Sequence, residues 1–172
     1  MPLNTKYLSL FEQNWSESQR AVKRIKASLS RLEEHFPLTA HALKSEDEAL
    51  FEKLDAFRVR FADLQDCIGN KLFRNLLRME DEEGLNMADT LSRMEKRHIL
   101  SSADSWRKMR EIRNVLSQDY PEAESQRADA LNMAWAVAPE LIKIIDQIEA
   151  YLLKLHDDKN MQYTSDIMQV TY

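Results

Sequence analysis

The stretch that decides the fold is "EDEALFEKLDAFRVRFADLQDCIGNKLFRNLLRM", residues 46–79. Leu50, Leu54, Phe57, Phe61, Leu64, Ile68 and Leu72 recur at steps of fours and threes. A half-buried strand would alternate with period two, whereas this spacing puts every apolar residue on one face of a helix. The near-heptad stripe predicts a long amphipathic helix from about Glu46 to near Met79. Ser45 with Glu48 three residues on reads as a capping box at its start. Gly69 lies inside it. A mid-helix glycine costs about 1 kcal/mol against alanine, so it marks a kink or a close helix crossing. "MEDEEG", Met79 to Gly84, then reads as an acidic helix end and turn.

Working outward, the same periodicity repeats. Leu8, Phe11, Trp15, Val22, Ile25, Leu29 and Leu32 predict a helix over Tyr7–His35, with one polar gap at Ser18. Phe36-Pro37 ends it, because proline pushes the preceding residue out of the helical region. Leu38 to Lys44 reads as a connection. Asn86 caps a short helix to Glu95, with Met87, Leu91 and Met94 facing inward. Lys96 to Trp106 reads as a loop into a fourth helix that ends near Ser117, capped by Ser101, Ser102 or Asp104. Trp106, Met109, Ile112 and Leu116 form its apolar side. Pro121, favourable at a first helical position, opens a last helix to about His156. Its stripe is Ala134, Ala138, Leu141, Ile145, Ile148, Leu152 and Leu155, and Pro139 within it predicts a kink. Two glycines and four prolines in 172 residues are too few for a β-rich or loop-rich protein. The expected fold is all-α, an up-and-down bundle of about five helices. Residues 1–156 form one domain and 157–172 a flexible tail.

The formal net charge of −5 argues against broad nonspecific binding to nucleic acid, while leaving room for a local basic patch. The single cysteine, Cys67, cannot form an intrachain disulfide and fits a reducing cytoplasm. Set among apolar residues, it reads as a small buried hydrophobe. The first residues lack the basic and apolar regions of a signal peptide. No apolar run approaches the roughly 20 residues of a membrane span, so the protein is expected in the cytoplasm, off the membrane. A di-metal site in a helical bundle needs two Glu-x-x-His pairs. Only Glu95 to His98 has that spacing, so neither a metal nor another cofactor is expected. His35, His41 and His156 read as surface or capping residues.

The segment "WRKMREIRNVLSQDYP", residues 106–121, is different. Arg107, Lys108, Arg110 and Arg113 fall within two helical turns, and Arg110 and Arg113 share a face at i and i+3. Arg113 borders the buried side beside Ile112, where a guanidinium can grip a phosphate through two parallel hydrogen bonds. The plainer alternative is a solvated helix face whose arginine stems cover apolar neighbours. Lys71 and Arg74, with Arg107, Arg110 and Arg113, make up a basic patch able to serve RNA locally.

"RNVLSQDYP" resembles the signature of the HEPN superfamily, and most closely its HepT-like branch. That signature is Arg, a polar residue often Asn, three more residues, His, any residue, Tyr. Here it reads Arg113, Asn114, Val115, Leu116, Ser117, then Gln118 where the histidine belongs, then Asp119 and Tyr120. Its position also agrees, at the end of a shorter helix before a long final one. The resemblance implies a toxin-type partner of a minimal nucleotidyltransferase antitoxin, acting as a homodimer that cuts RNA without metal. Two protomers would bring their motifs together in one cleft. Arg113 would hold the scissile phosphate, Asn114 would support it, and Tyr120 would be the acceptor of AMP from the partner. Gln118 is the departure. An amide does not titrate near pH 7 and cannot act as general acid or base, although it can hydrogen-bond phosphate or ribose. General acid–base catalysis contributes about 10²- to 10⁴-fold, so the expectation is RNA or nucleotide binding with cleavage weak or lost. The alternative is a non-enzymatic helical dimer that serves as an interaction or adaptor protein.

Overall fold

The computed structural model describes residues 3–118 and 123–159. Seven α-helices follow one another there: α1 (Thr5–Leu32), α2 (Ala40–Lys44), α3 (Glu48–Asp66), α4 (Phe73–Met79), α5 (Met87–Lys96), α6 (Ala103–Leu116) and α7 (Glu124–Lys159). A π-helical segment, Cys67–Leu72, joins α3 to α4, so the stretch that decides the fold is one rod with a wider turn in it.

Gly69 sits in that turn, and the reason is steric. A Cβ there would lie 2.7 Å from Cζ2 of Trp106 on α6. Of the two readings of Gly69, the close crossing is what the structure contains. The indole packs flush on the backbone and against the ring of Phe73, at 5.0 Å between centroids.

Every residue of the stripe Leu50 to Leu72 is buried, as are Leu8, Phe11, Trp15 and Ile25 of α1 and Ala134, Leu141, Ile145 and Ile148 of α7. These faces share one apolar core. Ser18, the polar gap, is fully buried and donates its hydroxyl to the Trp15 carbonyl at 2.7 Å, so it brings no unmet polar group inside.

The helices run up and down. Asn4 donates to the Met79 carbonyl at one end of α1, and Ser28 near the other end meets Arg60, so α1 is antiparallel to the rod. Trp106 lies by Gly69 and Arg113 by Asp66, so α6 is antiparallel to the rod as well. Trp135 packs near Phe57, and Tyr151 reaches Glu80, so α7 runs parallel to it.

Several boundaries differ from the sequence reading. The expected capping box at Ser45 is not formed. Asp47 caps α3 by accepting from the Leu50 amide, while Ser45 ends α2 and donates to the Ala42 carbonyl. Asp47 lies one residue before the helix, where its carboxylate reaches the orphan amides. The connection 38–44 contains the short helix α2, whose Leu43 is buried. It is tied to α7 by Asn132, which accepts from the Leu38 amide at 2.7 Å and donates to its carbonyl at 2.9 Å. Helix α7 passes the exposed Pro139 unbroken and extends beyond His156 to Lys159. Pro121 as a helix opening, and the tail from 160 on, lie outside the described residues.

The acidic turn after α4 does more than end a helix. Asp81 (φ 58°) and His98 (φ 56°) both take the left-handed conformation that glycine usually fills. They close α4 and α5 with the paired hydrogen bonds of Schellman motifs, Glu82 to Leu77 and Ile99 to Met94. Arg97 donates to Glu80 at 3.0 Å and to Glu82 at 3.0 Å. Arg93 donates to Glu82 at 2.7 Å and Asp89 at 3.0 Å. The Tyr151 hydroxyl completes the clamp on Glu80 at 2.6 Å. Burial and then the Glu80 hydrogen bond push the Tyr151 hydroxyl up to about 12. Burial alone would raise the Glu82 carboxyl, but the hydrogen bonds from Arg97 and Arg93 outweigh it and hold it below its ordinary range.

Candidate functional site

Helix α6 positions the arginine that the sequence singles out. Of the three candidate caps, Ser102 is the one used. It accepts from the Ser105 amide at 3.0 Å, which fixes the helix start. From there Trp106, Met109, Ile112 and Leu116 turn into the core. Arg113, next to Ile112, emerges at the seam between α6 and the rod.

Its partner is Asp66, the last residue of α3, which accepts from Arg113 Nη2 at 2.7 Å. The two side chains are 30% and 42% exposed, so the pair is half in water. Arg113 Nε is buried and has no hydrogen-bond partner. A buried donor without an acceptor is costly, so this atom favours whatever acceptor can reach it. The seam opens into a small cleft of about 210 Å³, lined by Asp66, Gly69, Asn70, Trp106, Arg110 and Arg113 together with Gln65, Met87 and Asn114. Its polar wall is therefore two guanidiniums and three amides, with one carboxylate.

The predicted residues divide. Arg113, Arg110 and Asn114 share this cleft. Arg107 is exposed and pairs with Asp104 at 2.8 Å, one helical turn back. Lys71 faces the other side of the rod, where its Nζ meets both carboxylate oxygens of Glu17 at 2.6 and 2.8 Å. That hydrogen bond raises the Lys71 ammonium above its ordinary value, so it stays charged. Arg74 lines a separate hollow with Arg78 and Glu83. Gln118 lines another, between α3 and α7, with Arg58 and Arg127. Tyr120 lies outside the described residues. The five-cation patch read along the chain is thus distributed over several faces.

Asp66 and Asn70 were not singled out by the sequence. Asp66 lies 47 positions from Arg113, and no periodicity announces so distant a pair. The available signal was Gly69, whose close contact with Trp106 brings the π-helical segment against α6.

The remaining reactive groups have other roles. Cys67 is buried, its thiol 3.8 Å from the Asn14 carbonyl, and burial first, then Glu17, pushes it up to about 12. It is no nucleophile at neutral pH. A cleft of about 640 Å³ lies between the α5–α6 connection and α7, and it is lined by both Glu95 and His98. Among the described residues no three His, Cys, Asp or Glu side chains converge to hold a metal ion, and no helix is long and apolar enough to cross a membrane. No protein-family model, curated protein or solved structure matches the chain.

Proposed function

We propose that this chain is a HEPN-type protein of the HepT-like branch, the toxin-type partner of a minimal nucleotidyltransferase antitoxin. On this reading its Arg113 cleft holds a phosphate of RNA or of a nucleotide, and it works by binding, with metal-independent cleavage weak or lost. The observation that carries the reading is Arg113 itself. Asp66 fixes one end of its guanidinium at 2.7 Å, while Nε is buried and lacks an acceptor. Arg113 lines the cleft and its side chain is 30% exposed, so the part of the guanidinium that Asp66 leaves uncovered would meet a phosphate oxygen, and Arg110, Asn70 and Asn114 line the same cleft for the remaining oxygens.

Cleavage is a different demand. Proton transfer needs a group that titrates near neutrality, and the motif position holds Gln118. Gln118 also lines a different hollow from Arg113. Both points favour binding over turnover. The homodimer and the modification of Tyr120 belong to the same proposal and follow from the motif. The Arg113–Asp66 ion pair favours one second reading, a helical adaptor in which Arg113 is only a seam contact.

The test is RNA cleavage without metal, alongside nucleotide binding, for the native protein, Arg113→Ala and Gln118→His. The expected result is nucleotide binding by the native protein that Arg113→Ala abolishes, with cleavage gained or raised about 10²-fold or more in Gln118→His. Binding untouched by Arg113→Ala would leave the adaptor reading standing instead.

A further inference from the structure

Asp66 stands on a ridge between two clefts. On one side is the Arg113 cleft. On the other, between α1 and α3, lies a larger one of about 530 Å³, whose charged lining is Glu17, Arg20, Arg24, Arg60, Asp63, Asp66 and Lys71. Its lining carries four cations against three acids, in a chain of net charge −5. From Arg20 to Arg31, α1 carries Arg20, Lys23, Arg24, Lys26 and Arg31 with no acid between them. Arg20, Arg24 and Arg31 follow one strip of the helix at i, i+4 and i+11.

Two arginines of this cleft, Arg60 and Arg20, are held by neutral groups. Arg60 donates to the Arg24 carbonyl at 3.2 Å and to the Ser28 hydroxyl at 2.8 Å. Arg20 donates to the Ser16 hydroxyl at 2.9 Å. Among the described residues, no carboxylate forms an ion pair with Arg20, Arg24 or Arg60. Glu17 is taken by Lys71 and Asp66 by Arg113. That leaves three arginines facing one acid, Asp63. Surface arginines in a folded protein ordinarily find carboxylates at such a seam. Three that share a concave surface without them suit a polyanion.

We propose that a phosphodiester strand seated at Arg113 crosses the Asp66 ridge into the α1–α3 cleft, where Arg20, Arg24 and Arg60 bind its backbone. The inference rests on the phosphate-binding reading of Arg113 and adds the path and polarity-blind contacts of a longer strand. Backbone contacts of this kind carry little sequence information but set affinity and its salt dependence. Asp66 gains a second role here. Already paired with Arg113, it presents little net repulsion to a strand passing over it.

The test uses the full chain, with fluorescence anisotropy on a labelled single-stranded oligouridylate dodecamer and calorimetry with uridine monophosphate. Arg20→Ala/Arg24→Ala should weaken the dodecamer about tenfold at low salt and reduce the slope of log affinity against log salt by about 1.4, the value for two phosphates on a single strand. It should leave monophosphate binding unchanged. Arg113→Ala should weaken both probes. If the double variant binds the dodecamer like the native protein while Arg113→Ala still loses the monophosphate, the strand path is wrong and the Arg113 site stands. If Arg113→Ala affects neither probe, the Arg113 site fails and the path with it. A polyglutamate of equal charge that competes as well as the RNA would overturn the path in favour of an acidic protein partner. Both replaced arginines are exposed, so unchanged unfolding midpoints should accompany every result.

Discussion

Two arginines, Arg97 at the end of α5 and Arg113 on α6, meet carboxylates of the rod and of the turn that follows it in opposite ways. Arg97 reaches Glu80 and Glu82 with side-chain exposures of 14% for the arginine and 10% for Glu80, and Arg93, Asp89 and Tyr151 complete the ring. Arg113 meets Asp66 through one nitrogen, half in water, with its Nε unanswered. The first arrangement is closed and ties α4, α5 and α7 together. The second is open and leaves capacity for a ligand. An ion pair is thus not one kind of feature: its burial and its leftover donors separate a closed structural clamp from a half-exposed seam contact.

The largest effect should come from breaking the clamp. Arg97→Ala leaves the Glu80 and Glu82 carboxylates partly buried beside each other, a change that costs about 3–5 kcal/mol. Denaturant unfolding measures it, and a loss under about 1 kcal/mol would mean that the clamp is no tighter than the open pair. Next is the crossing that shapes the cleft. Gly69→Ala sets a methyl group 2.7 Å from the Trp106 ring, and such overpacking costs about 1–3 kcal/mol. It should weaken nucleotide binding too, because Trp106 and Asn70 line the Arg113 cleft.

The clamp should also give stability two pH edges. Glu82 and Asp89 are held below their ordinary values of 4.5 and 3.8, Asp89 by the Leu85 amide and then Arg93. Their contribution is present above those values and is lost as pH falls through the lower folded values. Tyr151 works in the other direction. Its hydroxyl is raised from 10.0 to about 12, so its contribution is whole below 10 and is lost as pH rises through about 12. Thermal midpoints across pH should show both edges in the native protein, and Tyr151→Phe should weaken the alkaline one, to which Cys67, raised from 9.0 to about 12, also contributes. The smallest expected effect is on the open pair. Arg113→Ala should cost about 1 kcal/mol or less, as half-exposed ion pairs do.

The apolar stripes made the bundle legible because burial imposes its period directly on the sequence. Leu50 to Leu72 and Ala134 to Leu152 are buried as their spacing requires. Local chemistry was legible only where one candidate stood alone. Asn86 caps α5 as read, whereas Asp47 displaced Ser45 at α3, since several acceptors compete there within three residues. For the site, the sequence pointed to Arg113, Arg110 and Asn114, which one helix brings together. It could not separate them from Lys71, Arg74 and Arg107, because the face of each depends on which helix packs where. Asp66 depended on a contact 47 residues away, and the three α1–α3 arginines on a seam between helices that no single-helix pattern describes.

On the proposed reading, Arg113 is held for a phosphate ligand and Arg97 is not. The direct measurement is the unfolding midpoint with and without saturating uridine monophosphate, for the native protein and Arg113→Ala. At a concentration 100 times the dissociation constant, binding to the folded state adds about 2.7 kcal/mol of stability. The expected result is a clear upward shift in the native protein and none in Arg113→Ala, even though the two unfold at nearly the same midpoint without nucleotide. Equal shifts in both proteins, or no shift in either, would contradict it.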